Sequence, residues 1–275
     1  MASYPIPQKR CGLQIKDFLN ILPELKKKTL SKSGHIDLGD PETLLLYNQA
    51  IFRDFLNLEF TLPKEFLVPT VCNRWAFVEW ILQYHAKKVL EVGTGASAIL
   101  ALMFAAMGCK VVGTECSKTA YLSARENIVC NSLQNRISLR YVENPNQILI
   151  NVFKSISQFD AVVCNPPQYD EQYYQNKLQS IKGFRGQKTE LVGGKKGFEF
   201  LIKLLEEGSS YTAFPDIYFQ LLNTKIFIEV EDRLKTNDYN YIKKKVSFGT
   251  RNRLFFRVEG NKSIAETGSS ETIKL

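Results

Sequence analysis

Asn165-Pro166-Pro167-Gln168 directly follows the apolar run Phe159-Asp160-Ala161-Val162-Val163-Cys164. The run reads as a buried strand, so the tetrapeptide falls at a strand's carboxyl end, where an open α/β sheet holds its ligand. The asparagine offers a carboxamide oxygen, and the two prolines offer carbonyls but no N–H. Such a turn can accept both hydrogens of a planar exocyclic amine. Methylation of an amine such as N6 of adenine requires that grip. Alone, Asn-Pro-Pro is an ordinary stiff turn; the chemistry depends on what stands upstream.

Lys87-Lys88-Val89-Leu90-Glu91-Val92 reads as a second buried strand, followed by Gly93-Thr94-Gly95-Ala96-Ser97 and an apolar stretch from Ala98 to Met107 with the length of a helix. Glycines there let the backbone turn sharply and come close to a ligand. Lys110-Val111-Val112-Gly113-Thr114-Glu115 is a third strand, ending in a carboxylate 20 positions after Gly95. A doubly wound sheet places an acid there on a ribose diol. Singly, the glycines are a plain turn and Glu115 a solvated acid; together with Asn165 they favour a nucleoside-containing cofactor. The turn lacks a third glycine for pyrophosphate, and no Gly-Lys-Ser/Thr follows a strand. A ribose without phosphates fits better, and S-adenosylmethionine is the candidate.

These blocks bring the chain to a known family. It resembles the adenine-N6 RNA methyltransferases of the ribosomal large-subunit methyltransferase F type and their U6 small-nuclear-RNA-modifying relatives. The resemblance runs through Asp40-Pro41-Glu42, Leu67-Val68-Pro69-Thr70-Val71-Cys72-Asn73-Arg74, Gly93 to Ser97, Cys164 to Pro167, Thr189-Glu190-Leu191-Val192-Gly193-Gly194 and Gly197-Phe198-Glu199-Phe200. It implies catalysis by Asn165, Pro166 and Pro167, with cofactor contacts from Arg74, Gly93, Thr94, Gly95, Ala96, Glu115 and Asn165. Arg74 takes the cofactor carboxylate on this reading. Two positions depart from the family. Gln168 stands where an aromatic usually follows Pro-Pro, which shifts the base platform to Tyr169. Gly39 stands where eukaryotic members carry a Lys before Asp-Pro.

The chain has 275 residues, 44% hydrophobic, with 36 basic and 28 acidic side chains for a net charge of +8. That excess suits a polyanionic partner. Candidate RNA contacts are Lys26, Lys27, Lys28, Lys182, Arg185, Lys188, Lys195, Lys196, Arg251 and Arg253. Lys243-Lys244-Lys245 reads as structural or solvating. Six cysteines, at 11, 72, 109, 116, 130 and 164, form no Cys-x-x-Cys pair, and only His35 and His85 could join them. No metal site and no disulfide framework is expected. No signal peptide and no run of ~18 apolar residues is visible, so the expectation is a cytoplasmic protein, taken as a monomer.

The elements that must position these residues alternate. Strands are expected near 88–92, 110–114, 137–142 and 159–164, and helices near 97–107, 117–130 and 146–156. Helices over Pro41 to Leu56 and Arg74 to His85 precede them, and Phe18 to Leu25 suggests a short helix earlier. A long polar excursion, Tyr169 to Gly197, is expected to be structureless. A helix (198–207), a strand (216–222), a helix (224–235) and a hairpin of Tyr239–Phe248 with Leu254–Val258 complete the chain. The fold class is α/β: a Rossmann-like class I methyltransferase with a mostly parallel seven-stranded sheet, helices on both faces and a C-terminal antiparallel hairpin. The domain reading is a basic helical extension over 1–70, the methyltransferase domain over 71–260 and a flexible tail over 261–275. Two other functions remain open at this point: methylation of a protein glutamine amide, and RNA binding without catalysis.

Overall fold

A computed structural model describes residues 38–180, 185–222, 225–248 and 251–261. Seven strands form: β1 (Lys88–Val92), β2 (Lys110–Glu115), β3 (Ile137–Tyr141), β4 (Ala161–Cys164), β5 (Asp216–Leu222), β6 (Tyr241–Phe248) and β7 (Arg251–Val258), of which β1, β4 and β5 are the buried apolar runs while the edge strands β3 and β6 are largely exposed. They make one seven-stranded sheet in the order β3-β2-β1-β4-β5-β7-β6. The first five run parallel, and β7 returns antiparallel against β5 with β6 on its outer edge. The strand order reverses between β1 and β4, which is where such sheets open a crevice at their carboxyl ends. Val92 lies in register with Cys164. The glycine turn after β1 and the Asn-Pro-Pro turn after β4 therefore leave the sheet side by side.

Helices cover both faces. On one face, α1 (Pro41–Leu56), α2 (Val71–Leu82), α3 (Ile99–Ala106) and α4 (Lys118–Cys130) enclose a core. The chain enters α1 through Asp40, whose carboxylate accepts from the Thr43 N–H and hydroxyl, with Pro41 at the first helical position. It leaves at Asn57 in the left-handed region (φ 54°). Phe52 packs edge-on to Phe60, and Phe55 to Trp75. Ala50, Ile51, Phe52, Phe55 and Phe60, from the stretch grouped in sequence with the N-terminal extension, pack into the main core. Phe77, Trp80, Tyr84, Tyr218 and Phe255 continue that core as an aromatic cluster over β5 and β7. Two short helices of the excursion, α5 (Glu171–Tyr173) and α6 (Lys188–Leu191), adjoin a separate small cluster of Tyr174, Leu178 and Leu191 that takes in Leu67, and the longer α7 (Glu199–Ser209) and α8 (Lys225–Thr236) cover the other face.

Two expectations give way. The helix over 146–156 is absent, and turns take its place. The backbone N–H groups of Leu149 and Ile150 donate to the Glu207 carboxylate, at 2.6 and 2.9 Å, and Asn151 sits at φ 64°. Ile148, Leu149, Phe153 and Ile156 are nonetheless buried, so the helical spacing of apolar residues was real but served by turns. The excursion from Tyr169 to Gly197 is not structureless where described. It holds α5, a π turn over Tyr174–Leu178, α6 and a bridge between Tyr169 and Val192. The second helix runs over Val71–Leu82 rather than Arg74 to His85, because Thr70 follows Pro69 as its extended N-cap. The helix suggested near Phe18 to Leu25 and the tail after 261 lie outside the described residues.

Candidate active site

The glycine turn takes its shape from two left-handed glycines, Gly93 (φ 73°) and Gly95 (φ 69°), a conformation that costs glycine nothing. The N–H groups of Gly93 and Thr94 donate to the Thr114 carbonyl of β2. The Gly95 N–H donates to one Glu115 oxygen and the Ser117 N–H to the other, each at 2.8 Å. From beneath, the Asn127 side chain of α4 donates to the carbonyls of Ala96 and Ser97, at 3.1 and 3.4 Å. The turn is therefore a fixed cradle. Burial raises the Glu115 carboxyl above its ordinary range, against the lowering effect of those backbone donors.

Across the crevice, Asn165 and Pro167 face the same pocket as Gly93, Thr94, Gly95, Ala96, Glu115 and Arg74. Eight of the residues that the sequence nominated thus meet around one cavity. The Asn165 carboxamide makes no hydrogen bond among the described residues and is left to a ligand. Pro166 is buried outside the lining, with its ring in the protein. Tyr169 also lies outside the lining and stacks on Tyr173 instead. The Gln168 side chain, in the place of the family's aromatic, turns away to the end of β5. It donates to the Gln220 carbonyl at 3.0 Å and accepts from the Leu222 N–H at 2.7 Å. Gly193 packs against the catalytic turn so closely that a Cβ there would stand 2.5 Å from the Pro167 carbonyl oxygen. The Gly-Gly pair has a steric reason at its first position.

Among the lining residues that the sequence did not nominate, three bear on the chemistry. Glu91 of β1 is 1% exposed, and neither its Oε2 nor the neighbouring Thr94 hydroxyl has a hydrogen-bond partner. Burial holds its carboxyl well above the usual range, with the adjacent Thr94 hydroxyl opposing and the Glu115 charge adding to the rise. An acid inside the apolar run Lys88–Val92 was the available signal. Glu190 of α6 accepts at one oxygen from the N–H groups of Leu67 and Gln187, both at 3.0 Å, and so ties the excursion to the segment before α2. Burial lifts its pKa to about 6. Phe200, at the start of α7, supplies an aromatic wall. Arg74 donates to the Thr70 hydroxyl at 2.8 Å. Its pKa is lowered to about 10, first by burial and then by the nearby Arg253 cation, with Glu190 opposing.

The basic candidates are spread more widely. Arg253 sits beside Arg74 at the ligand edge of β7. Arg185 is half-buried with its Nη1 unpartnered. Lys188 pairs with Glu171, and Lys195 and Lys196 are exposed before α7. Arg251 opens β7 opposite Phe248. Lys26, Lys27, Lys28 and Lys182 lie outside the described residues. Among the described residues no cluster of His, Cys, Asp or Glu could hold a metal, and no helix is long and apolar enough to cross a membrane.

A family model described as RNA methyltransferase matches residues 12–236. The chain belongs to that family. A protein of Methanocaldococcus jannaschii named as a methyltransferase is 29% identical over 214 residues, which cover 73% of this chain and 79% of that one. The ribosomal RNA large subunit methyltransferase F of Pseudomonas savastanoi is 28% identical over 207 residues. That match covers 64% of this chain and 62% of the relative, so the chain spans less than two thirds of that protein. Among solved structures, the human METTL16 catalytic domain in complex with a MAT2A 3′UTR hairpin superposes with a TM-score of 0.78 at 20% identity, covering 90% of this chain and 91% of that one. The METTL16 N-terminal domain in complex with SAH gives 0.75 at 18% identity, covering 94% and 98%. These likenesses show the fold, which is the Rossmann-like one expected. S-adenosylmethionine, the expected cofactor, fits the side chains present. Glu115 suits a ribose diol and Arg74 a carboxylate, and Glu91, with one unpartnered oxygen, lines the same cavity.

Proposed function

We propose that this RNA methyltransferase modifies N6 of an unpaired adenine in structured RNA, with ribosomal RNA as the substrate class. The observation that carries the reading is Asn165, whose unengaged carboxamide opens into the cavity formed by the glycine turn and Glu115. S-adenosylmethionine, when bound, supplies an electrophilic methyl group that needs no metal. Glu115 would hold its ribose hydroxyls through the lone pairs not used by Gly95 and Ser117. Arg74 would hold its carboxylate and Glu91 its ammonium.

The adenine amine is a poor nucleophile because its lone pair is delocalised into the ring. Asn165 Oδ1 and the Pro166 carbonyl are the two acceptors for its hydrogens. Held by both, the nitrogen is drawn toward tetrahedral geometry and its lone pair is freed. The proton left on the methylated nitrogen is acidic, so water suffices to take it. The protein's work is then position and alignment. Pro167 keeps the turn rigid, and Gly193 lets the excursion close behind it.

A base must leave its stack to enter such a pocket. The stacked pair of Tyr169 and Tyr173, rather than Tyr169 alone, is the platform in this reading, and Arg185, Lys188, Lys195, Lys196, Arg251 and Arg253 would neutralise phosphates around the mouth. The N-terminal extension, with Lys26 to Lys28 and Lys182 from the excursion, would add to that surface. RNA affinity should then fall steeply with salt. Relatives named as ribosomal RNA methyltransferases support the substrate class, and a cytoplasmic monomer is the accompanying expectation. Incubation with methyl-labelled S-adenosylmethionine, offering total RNA and total protein in parallel, tests the reading. Label in RNA adenines supports it; label in protein alone overturns it.

A further inference from the structure

Four residues past Asn165, the Tyr169 ring lies parallel to that of Tyr173, with centroids 5.3 Å apart and planes 7° from parallel. The backbone beneath this pair is fixed at several points. The Tyr169 N–H donates to the Leu191 carbonyl at 2.8 Å, and its carbonyl accepts from Gly193 at 3.0 Å. The Asp170 carboxylate caps the next turn by accepting from the Tyr173 N–H at 2.7 Å. Glu171 pairs with Lys188 and so ties that turn to α6. The inner ring packs against the cluster of Tyr174, Leu178 and Leu191. The outer ring is 44% exposed.

We infer that Tyr173 is a stacking site for an unpaired nucleobase next to the methylated adenine, the outer step of a pile begun by Tyr169. The inference rests on the reading of Asn165 as the catalytic turn of an RNA enzyme. Four residues of chain from Asn165 to Tyr169 span at most about 14 Å, and the Tyr173 ring lies 5.3 Å from that of Tyr169, so the site falls within a few nucleotides of the reacting base. A planar, exposed and pre-oriented ring suits a base of any sequence, since every base has a π face. The two acids beside it already have partners, Asp170 in the cap and Glu171 with Lys188 and Gln175. The ring is then the recognising feature of the spot, and phosphate contacts fall to the cations elsewhere on the excursion.

Fluorescence-detected binding of the full chain to a short single-stranded oligoadenylate tests this without relying on turnover. Tyr173→Ala should bind it about tenfold or more weakly, with S-adenosylmethionine affinity and melting temperature unchanged. Tyr173→Phe should bind like the wild type. Tyr173→Trp should bind at least as well, with its indole emission quenched as RNA is added, a signature that a purely structural tyrosine would not give. Equal binding by Tyr173→Ala, or no binding of the oligonucleotide by the wild type, overturns the inference. Asn165→Ala separates the two levels, because it should lose methyl transfer and keep oligoadenylate binding. A wild type that methylates no RNA, yet whose binding depends on Tyr173, overturns the catalytic reading and leaves the stacking site standing.

Discussion

Two carboxylates on neighbouring parts of the sheet have opposite fates. Asp216, at the amino end of β5, is surrounded by donors. Arg257 Nε reaches it at 2.6 Å, the Gly260 N–H at 2.9 Å and the Tyr218 hydroxyl at 3.3 Å. Arg257 also lies 4.3 Å over the Tyr84 ring, which joins the ion pair to the aromatic cluster. Glu91, near the carboxyl end of β1, is more deeply buried and has an oxygen with no partner. A buried acid of this kind opposes folding unless something else meets it. The difference separates polarity that holds the fold from polarity kept for a ligand. Asn165 and the Thr94 hydroxyl fall on the ligand side of that division, as Glu91 does. Gln168 and Asn127 fall on the structural side.

The sharpest way to break the comparison is Asn165→Ala. It should lower kcat by about 10²–10³-fold, while the dissociation constant for S-adenosylmethionine, measured by calorimetry, and the melting temperature stay near wild type. A parallel loss of stability would move Asn165 to the structural side. Arg257→Ala should do the reverse. Leaving Asp216 partly buried without its cation should cost about 3 kcal/mol in denaturant unfolding, with kcat of the folded enzyme unchanged.

Glu91→Gln should act on both sides at once. Cofactor affinity should weaken about tenfold, yet the variant should unfold at higher temperature than wild type at alkaline pH. The sign follows from burial: a carboxyl raised above its unfolded pKa favours the fold at low pH and loses that contribution as pH rises through the folded value. The amide has no such loss. Glu190 offers the narrowest window. With a folded pKa of about 6, its contribution is present below the unfolded carboxylate range and lost as pH climbs through about 6. Glu190→Gln should remove a slope worth on the order of 2 kcal/mol from the stability profile between roughly pH 4.5 and 6. An unchanged slope would assign that titration elsewhere.

The parallel strands were legible because strands buried on both faces are short continuous apolar runs. Their punctuation by Gly93-Thr94-Gly95 and Asn165-Pro166-Pro167 placed both turns at one edge before any geometry was known. The stretch 146–156 was misread for a definite reason. Its apolar spacing is helical, but its backbone donors go to Glu207, 57 or more positions along the chain, which no local pattern reveals. Long-range contacts also hid Glu190, whose link to Leu67 spans 123 positions. At Gln168 the sequence showed a missing aromatic. It could not show that the carboxamide spans to β5 instead, since Gln220 and Leu222 lie 52 and 54 positions away. Tyr169, nominated as a platform, proved to be the inner member of a stacked pair.

The central claim concerns one atom of the substrate. RNA incubated with wild-type protein and deuteromethyl S-adenosylmethionine, then digested to nucleosides for mass spectrometry, reports it directly. The account predicts labelled N6-methyladenosine from the wild type, forming at least about a hundredfold more slowly with Asn165→Ala. Label on a ring nitrogen or a ribose oxygen, or labelled N6-methyladenosine forming in the variant at the wild-type rate, would contradict it.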